Sequence, residues 1–201
     1  RKDVEEGLEI IGKRSEELSR FIAAYTKLTR LPEPVFNDMN VRAWIQHVAG
    51  LETRVTVTVH PGPAVTIQAD RGQLDQLLIN LLANAVEASL ETHAQADGQV
   101  IIGWSADKKS LRVWIDDDGP GLNEGRDVFV PFFTTKEQGQ GTGMGLAVVH
   151  GIVKSHGGTI TVDSSPDRGT RFDVYLPAIS KRVETDDAPS FGLPRGDERI
   201  L

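Results

Sequence analysis

The stretch from Asp70 to Ala94 constrains the chain more than any other. Apolar side chains fall at Leu74, Leu77, Leu78, Leu81, Leu82, Ala85 and Ala88, the three-and-four spacing of one broad helical face, and Asp70 stands where a carboxylate caps a first turn. The spacing predicts a long helix from about Arg71 to Ala94, with that face turned to a core. Around it lie segments of period two. Thr53 to Val59 alternates, and His60-Pro61-Gly62-Pro63 is expected to turn it back into Ala64 to Gln68 as a β-hairpin. Gln99 to Ala106 and Leu111 to Ile115 read as paired strands about the turn Asp107 to Ser110, and Thr159 to Ser164 and Thr170 to Leu176 as two more strands joined by Ser165 to Gly169. Shorter helices are expected at Val41 to Leu51, with Asn40 placed to cap it, and from about Gly143 to Ser155, stopped by His156-Gly157-Gly158.

Residues 3 to 31 carry apolar side chains at Val4, Leu8, Ile11, Leu18, Ile22 and Tyr25, broken at Ser15 and widened by Ile10, Phe21 and Leu28. This is the stripe of one long amphipathic helix, halted where Pro32 and Pro34 forbid its continuation. Such a helix cannot bury its stripe alone, and the near-heptad spacing favours a helical bundle with another copy. From Ala178 onward the chain is polar, contains Pro and Gly, lacks periodicity, and reads as a flexible tail. A hydrophobic fraction of 39% supports one full core, and a net charge of −7 without a basic stripe argues against a nucleic-acid surface. With no cysteine and no apolar run of about 18 residues, the sequence fits a soluble protein of a reducing cytoplasm, and no membrane contact is expected of this stretch itself, with a longer protein anchored to a membrane upstream as an open alternative.

Three stretches carry polar groups where chemistry can use them. Asn80 and Asn84 lie four apart on the Asp70 helix, hence on one face, where two amide oxygens can ligate a hard cation or merely edge a solvated face. Asp116-Asp117-Asp118-Gly119-Pro120-Gly121 follows an apolar strand directly. It is either a solvated turn or a strand-end carboxylate that accepts a hydrogen bond from an exocyclic amine, with glycines permitting close approach. Gly141-Thr142-Gly143-Met144-Gly145-Leu146 opens an apolar helix. Free backbone N–H groups at such an opening can face a phosphate, although glycine also serves any tight turn. Before it, Val128 to Lys136 joins phenylalanines to a Lys, as core residues or as a hinged lid.

Taken in order, Asn80-Leu-Leu-Ala-Asn84, Asp117-Asp-Gly-Pro-Gly121, Phe132-Phe-Thr-Thr-Lys136 and Gly141-Thr-Gly-Met-Gly145-Leu146 resemble the N, G1, F and G2 boxes of two-component sensor histidine kinases. That family belongs to the superfamily that also holds gyrase-type, mismatch-repair and heat-shock-chaperone ATPases. The resemblance covers roughly residues 70 to 177, and Gly169-Thr170-Arg-Phe172 and Leu176-Pro177 look like the family's end. It implies an α+β fold, a two-layer sandwich of the Bergerat type. A mixed sheet of about five strands would carry three helices on one face and be preceded by one long helix. The implied organisation is 1–33 as the second helix of a dimerisation domain, 34–40 as linker, 41–179 as ATP-binding kinase domain and 180–201 as tail.

By the same resemblance the ligands are ATP and Mg²⁺. Asp117 would hold the adenine amine with Thr170 in support through water, and Gly119 and Gly121 would give the base room. Asn84 would ligate Mg²⁺ with Asn80 assisting, Lys136 and the amides of Gly141, Gly143 and Gly145 would meet the phosphates, and Phe132 and Phe133 would anchor the lid. Thr135, Thr142, Met144 and Leu146 complete the implied ATP-binding set, with Asn80 and Lys136 as its catalytic members. The implied partners are an acceptor-His helix, a response regulator and a second copy of the chain. Two departures bear on mechanism. Hydrolytic relatives in the superfamily place a general-base Glu where this chain has Asn80, and an amide takes no proton from water, which favours phosphoryl transfer. Glu87 stands where many such kinases carry a basic residue. None of His47, His60, His93, His150 and His156 has an acceptor's setting, so autophosphorylation of this chain is not expected. A nucleotide-sensing interaction module and an ATPase of the same superfamily stand as alternatives.

Overall fold

The computed structural model describes residues 31–93, 98–122, 128–134 and 143–177, with Gly12 by itself. The expected N-terminal helix and the 180–201 tail lie outside the described residues. Seven strands and three helices are described: β1 Asn37–Asn40, α1 Val41–Ala49, β2 Thr56–His60, β3 Thr66–Ala69, α2 Arg71–Thr92, β4 Gln99–Ala106, β5 Ser110–Asp117, α3 Gly145–Ser155, β6 Thr159–Ser164 and β7 Thr170–Pro177. Five strands form one mixed sheet in the order β2-β4-β5-β7-β6, in which β2 runs parallel to β4 and every other pair is antiparallel. The three helices cover one face, α2 lying over β4 and β5 and beside α3, which lies over β6 and β7. This is the expected two-layer α+β sandwich.

Alternation along each strand builds the core. On β5 Leu111, Val113 and Ile115 point to the helices, and on β7 Phe172, Val174 and Leu176 do the same. From α2 the answering residues are Leu74, Leu77, Leu78, Leu81, Leu82 and Ala85, all buried as the period predicts. Fully burying such aliphatic side chains contributes about 1.5–3 kcal/mol each. Both caps form as expected: Asn40 accepts from Ala43 N–H, and Asp70 from Gln73 N–H at 3.0 Å.

The hairpin expected from Thr53 to Gln68 does not form. Strand β2 joins the edge of the main sheet beside β4, whereas β3 pairs antiparallel with β1, Met39 opposite Ile67, in a separate two-stranded sheet. Pro61 and Pro63 have no N–H to give to a ladder. The connection is instead pressed onto the sheet edge, Pro63 C=O accepting from the Trp104 indole N–H at 2.9 Å and Gly62 C=O from Arg42. The stretch 34–40, expected as linker, therefore contributes a strand.

Its approach to the domain is held by a polar clasp. Asp70 Oδ2 accepts from Val35 N–H at 2.9 Å, and Gln73 Nε2 donates to Pro32 C=O at 2.8 Å. His156 at the end of α3 engages both ring nitrogens: Nδ1 with Ile152 C=O at 2.9 Å, and Nε2 accepting from Asp70 N–H at 3.2 Å. Asp70 is thereby held below the usual carboxylate range, chiefly by the Val35 and Gln73 amides. The clasp ties the start of α2 to the end of α3.

Candidate functional site

A cleft of about 410 Å³ opens where the helix layer and the sheet part company. Its α2 wall carries Asn80, Asn84, Glu87 and Glu91, residues at intervals of four, three and four that form one stripe beside the apolar face. Its floor is the end of the sheet, where Asp117 on β5 lies opposite Thr170 on β7, with Phe172 one inward position further along. Phe133, Gly143, Gly145 and Leu146 complete the wall on the α3 side. Nine of the expected site residues thus come together: Asn80, Asn84, Asp117, Gly121, Phe133, Gly143, Gly145, Leu146 and Thr170. Gly119, Phe132 and Met144 do not line the cleft. Thr135, Lys136, Gly141 and Thr142 lie outside the described residues.

The three aspartates meet three different fates, dictated by the pleat. Asp116 points to the outer face and pairs with Arg171 at 3.4 Å. Asp118 leaves the strand and ties the layers together, accepting from Ser89 Oγ on α2 at 2.6 Å and from Gln99 N–H at 2.9 Å. Asp117 continues the inward row of β5 past its last apolar residue and is only 7% exposed. Its Oδ1 accepts from Gly119 N–H at 3.0 Å and Thr170 N–H at 3.1 Å. Oδ2 takes no part in either bond. Burial pushes this carboxyl up to about 6, opposed by the two amides and reinforced by the flanking Asp116 and Asp118. A desolvated carboxylate in a cleft wall is poised to take a hydrogen bond from a neutral donor.

Thr170 supports Asp117 by its backbone N–H directly. Its hydroxyl is within 2.9 Å of Ser164 Oγ, which also donates to Gly169 C=O and accepts from Leu122 N–H, locking the loop after β5 to the β6–β7 turn. Gly119 serves packing: a Cβ there would stand 2.6 Å from the Ala88 Cβ and 2.8 Å from its carbonyl carbon, so the space expected for a base is taken by α2.

Gly143 and Phe132 close a loop. Phe132 N–H donates to Gly143 C=O at 2.8 Å, and both residues adopt positive φ, 63° at Gly143 and 69° at Phe132. Phe132 there stores about 1–2 kcal/mol of strain; at Gly143 a Cβ would also strike the Phe132 backbone. Phe133 packs on the core while Phe132 is exposed. Helix α3 then begins without a side-chain cap on Met144, so its first amides, at the Gly145 and Leu146 wall, are available to an anion. Leu122, Val128, Phe172 and Glu91 also line the cleft and are not among the residues expected from the sequence. Phe172 is signalled by the β7 alternation that fixes Thr170, and Glu91 by the helical interval that links Asn80 to Asn84.

Among the histidines, His47 and His60 are exposed, His150 stacks on Phe129 with ring centroids 5.5 Å apart, and His93 sits 3.5 Å from Asp118. With His156 in the clasp, none of the five lines the cleft. Among the described residues no helix is long and apolar enough to cross a membrane.

A cleft with a base-seeking carboxylate at one side and open helix amides at another suits a nucleotide, and the sandwich around it is that of an ATP-binding domain. The model of the histidine kinase-, DNA gyrase B-, and HSP90-like ATPases matches residues 69–180, and the chain belongs to that family. It is 35% identical over 174 residues to sporulation kinase A of Bacillus subtilis (strain 168), an alignment covering 80% of this chain and 28% of that protein. The catalytic domain of the histidine kinase ThkA superposes with a TM-score of 0.61 at 29% identity, covering 72% of this chain and 96% of that one. Full-length ShkA in complex with AMPPNP superposes with a TM-score of 0.66 at 26% identity, covering 86% of this chain and 38% of that one. The chain spans between 20% and 39% of the length of the curated relatives it matches.

Proposed function

We propose that this chain is the ATP-binding catalytic portion of a cytoplasmic two-component sensor histidine kinase, with residues 41–179 as the kinase domain. Residues 1–33 would belong to a dimerisation domain through which two copies associate, 34–40 would lead into the kinase domain, and 180–201 would form the tail. The observation that carries the proposal is Asp117, buried in the cleft wall with both backbone donors on Oδ1 and Oδ2 uncommitted by them. That oxygen would accept from the adenine amine. The N-terminal amides of α3, that of Gly145 among them, would meet the phosphates, joined by Lys136 and the amides of Gly141 and Gly143. Amide oxygens from Asn80 and Asn84 form a hard donor set, and Mg²⁺ characteristically takes one or two protein oxygens and completes its shell with phosphate and water. Asn84 would hold it with Asn80 assisting, and the ion would neutralise phosphate charge.

Transfer would go to a histidine on a helix supplied in trans or by a longer chain. A ring nitrogen forms the bond to the γ-phosphorus as the bond to the β–γ bridging oxygen breaks, ADP carries that electron pair away, and the ring proton leaves to solvent. A response-regulator aspartate would then take the phosphoryl group. Among the described residues the cleft offers no general base in the place Asn80 occupies, which supports transfer over hydrolysis. The test combines binding and labelling. A fluorescent ATP analogue should bind with Mg²⁺, Asn84→Ala should weaken that binding at least tenfold, and γ-labelled ATP should label a separate acceptor-helix peptide. Rapid phosphate release by the chain alone would favour an ATPase instead. Tight binding with no labelling would favour a nucleotide-sensing module.

A further inference from the structure

Ser164, at the end of β6, stands opposite Thr170 in the ladder and does not itself line the cleft. Its hydroxyl makes three contacts: with Leu122 N–H at 2.8 Å, with Gly169 C=O at 3.0 Å and with Thr170 Oγ1 at 2.9 Å. A hydroxyl has one proton and two lone pairs. An amide N–H can only give and a carbonyl can only receive, so Leu122 occupies one lone pair and Gly169 takes the proton. The contact with Thr170 then closes in one direction only, with the Thr170 hydroxyl donating into the remaining lone pair. The loops that carry this chain of bonds are pinned to each other a second time, by Asp167 N–H donating to Pro120 C=O at 2.9 Å. Thr170 is buried and lines the cleft. Its proton is spent on Ser164, and only oxygen lone pairs remain for a ligand. Opposite it on β5, Asp117 receives the Gly119 and Thr170 amides on Oδ1, and neither engages Oδ2. With the carboxylate ionised, both side chains at this end of the sheet accept and neither donates.

We infer that Ser164 is a positioning residue for base discrimination: by fixing the direction of the Thr170 proton it makes the floor of the cleft a pair of acceptors, which suits an exocyclic amine with two N–H groups and opposes a carbonyl in the same place. This rests on the nucleotide reading above and adds the residue that sets the preference for an amino over an oxo purine. Without Ser164 to receive the proton, the Thr170 hydroxyl is free to turn and donate it, and a carbonyl gains a partner that the wild-type cleft denies it. One such hydrogen bond, gained or lost, changes affinity by about fivefold.

The whole chain, as wild type, Ser164→Ala, Ser164→Thr, Thr170→Val and the double variant of Ser164→Ala with Thr170→Val, is titrated with ATP and with inosine triphosphate in excess Mg²⁺. The titrations are run at pH 8, above the value of about 6 to which the Asp117 carboxyl is pushed. The two nucleotides share their sugar and phosphates, so the ratio of their affinities in one protein reports the base alone and does not depend on the fraction folded. Wild type should prefer ATP by about tenfold or more, and Ser164→Ala should shrink that preference by about fivefold, whatever it does to both affinities together. Ser164→Thr keeps the proton and both lone pairs and should hold the ratio within about twofold of wild type. Thr170→Val should shrink the preference by weakening ATP alone, and Ser164→Ala added to it should move the ratio no further. A parallel loss of both nucleotides in Ser164→Ala, with the ratio unchanged, marks a merely structural role and overturns the inference. So does an undiminished effect of Ser164→Ala in the Thr170→Val background, and so does a wild type that binds the two nucleotides equally. If Ser164→Ala does not fold, an unchanged ratio in Thr170→Val overturns the inference by itself, and a reduced one with ATP alone weakened upholds it. A wild type that binds neither nucleotide refutes the nucleotide reading, a result distinct from an unmoved ratio.

Discussion

Replacing Asp117 by Asn should move stability and nucleotide recognition in opposite directions. The folded carboxyl is pushed up to about 6 from 3.8. Between about pH 4 and pH 6 the folded protein therefore keeps a proton that the unfolded chain has released, so stability falls as pH rises through that window and the full deficit is present above it. Two pKa units correspond to about 3 kcal/mol. Asn has the same shape, and its Oδ1 can keep both the Gly119 and Thr170 amides, but it carries no charge to desolvate. Neutral acceptance of those two amides is weaker, which leaves a net gain of about 1–2 kcal/mol at pH 8, or roughly 3–6 °C in Tm. At pH 5 the gain should be about half as large, because the wild-type carboxyl is by then mostly protonated when folded. With Oδ1 occupied, the Asn amine points at the adenine amine, donor against donor, and adenosine and ATP should bind about 10–100-fold more weakly. Thermal unfolding at pH 8 and pH 5 and nucleotide titration at pH 8 read the two effects. A folded Asp117→Asn protein that binds adenosine within threefold of wild type refutes this reasoning, as does a Tm gain that is absent at pH 8 or no smaller at pH 5.

Gly119→Ala should lower stability by about 1–3 kcal/mol, because its methyl would stand 2.6 Å from the Ala88 Cβ and must push α2 away from the end of β5. The additional change Ala88→Gly should restore part of the shift in urea midpoint and not all of it, since the α2 backbone would still lie 2.8 Å away. Gln73→Ala removes a buried amide that bridges Pro32 C=O and Ser155 Oγ, and should cost about 1–3 kcal/mol in urea unfolding. Nucleotide affinity of the folded Gln73→Ala protein should stay within twofold of wild type, because the clasp lies outside the cleft lining.

What the sequence discloses follows from which interactions are local. The period of α2 names Leu74, Leu77, Leu78, Leu81, Leu82 and Ala85 correctly, because burial repeats every turn, but it misses the buried Val86 and places in the core Ala88, which is half-buried at the cleft. The β5 alternation separates Asp117 from its neighbours once Leu111, Val113 and Ile115 are known to face inward. The Thr53 to Gln68 region defeats the same reasoning, since alternation says that a strand exists and not which strand it joins. Its partners, β4 and β1, lie about 40 and 30 residues away in the chain. Gly119 shows a second limit. A glycine beside an aspartate reads equally as room for a ligand or room for a helix, and only the position of Ala88 decides. His156 shows a third: a histidine at a helix end looks like a cap, while its bond to Asp70 N–H depends on a helix that begins about 85 residues earlier.

The cleft stands where it does because both layers turn polar along one line. The inward row of β5 runs Leu111, Val113, Ile115 and then Asp117; the inward row of β7 begins at Thr170 before Phe172. On α2 the apolar face is bordered by Asn80, Asn84, Glu87 and Glu91. Up to that line the layers are joined by apolar burial, which separation would expose to water at about 25 cal/mol per Å². Beyond it the lining mixes polar groups with Leu122, Val128, Phe133, Leu146 and Phe172, so a ligand with an apolar face and polar edges can take the place of the missing core. The described connections across the line are polar and local: Ser89 to Asp118 between the layers, and Ser164 to Leu122 between the loops. They fix the wall that carries Asp117 without filling the space in front of it. The wall is thus held by hydrogen bonds where the base would be read, while the Phe132–Gly143 closure and the uncapped start of α3 stand on the other side of the cleft. Recognition of a flat, rigid base and accommodation of a charged tail would then fall to opposite sides of one cleft, each built from the kind of backbone its task requires.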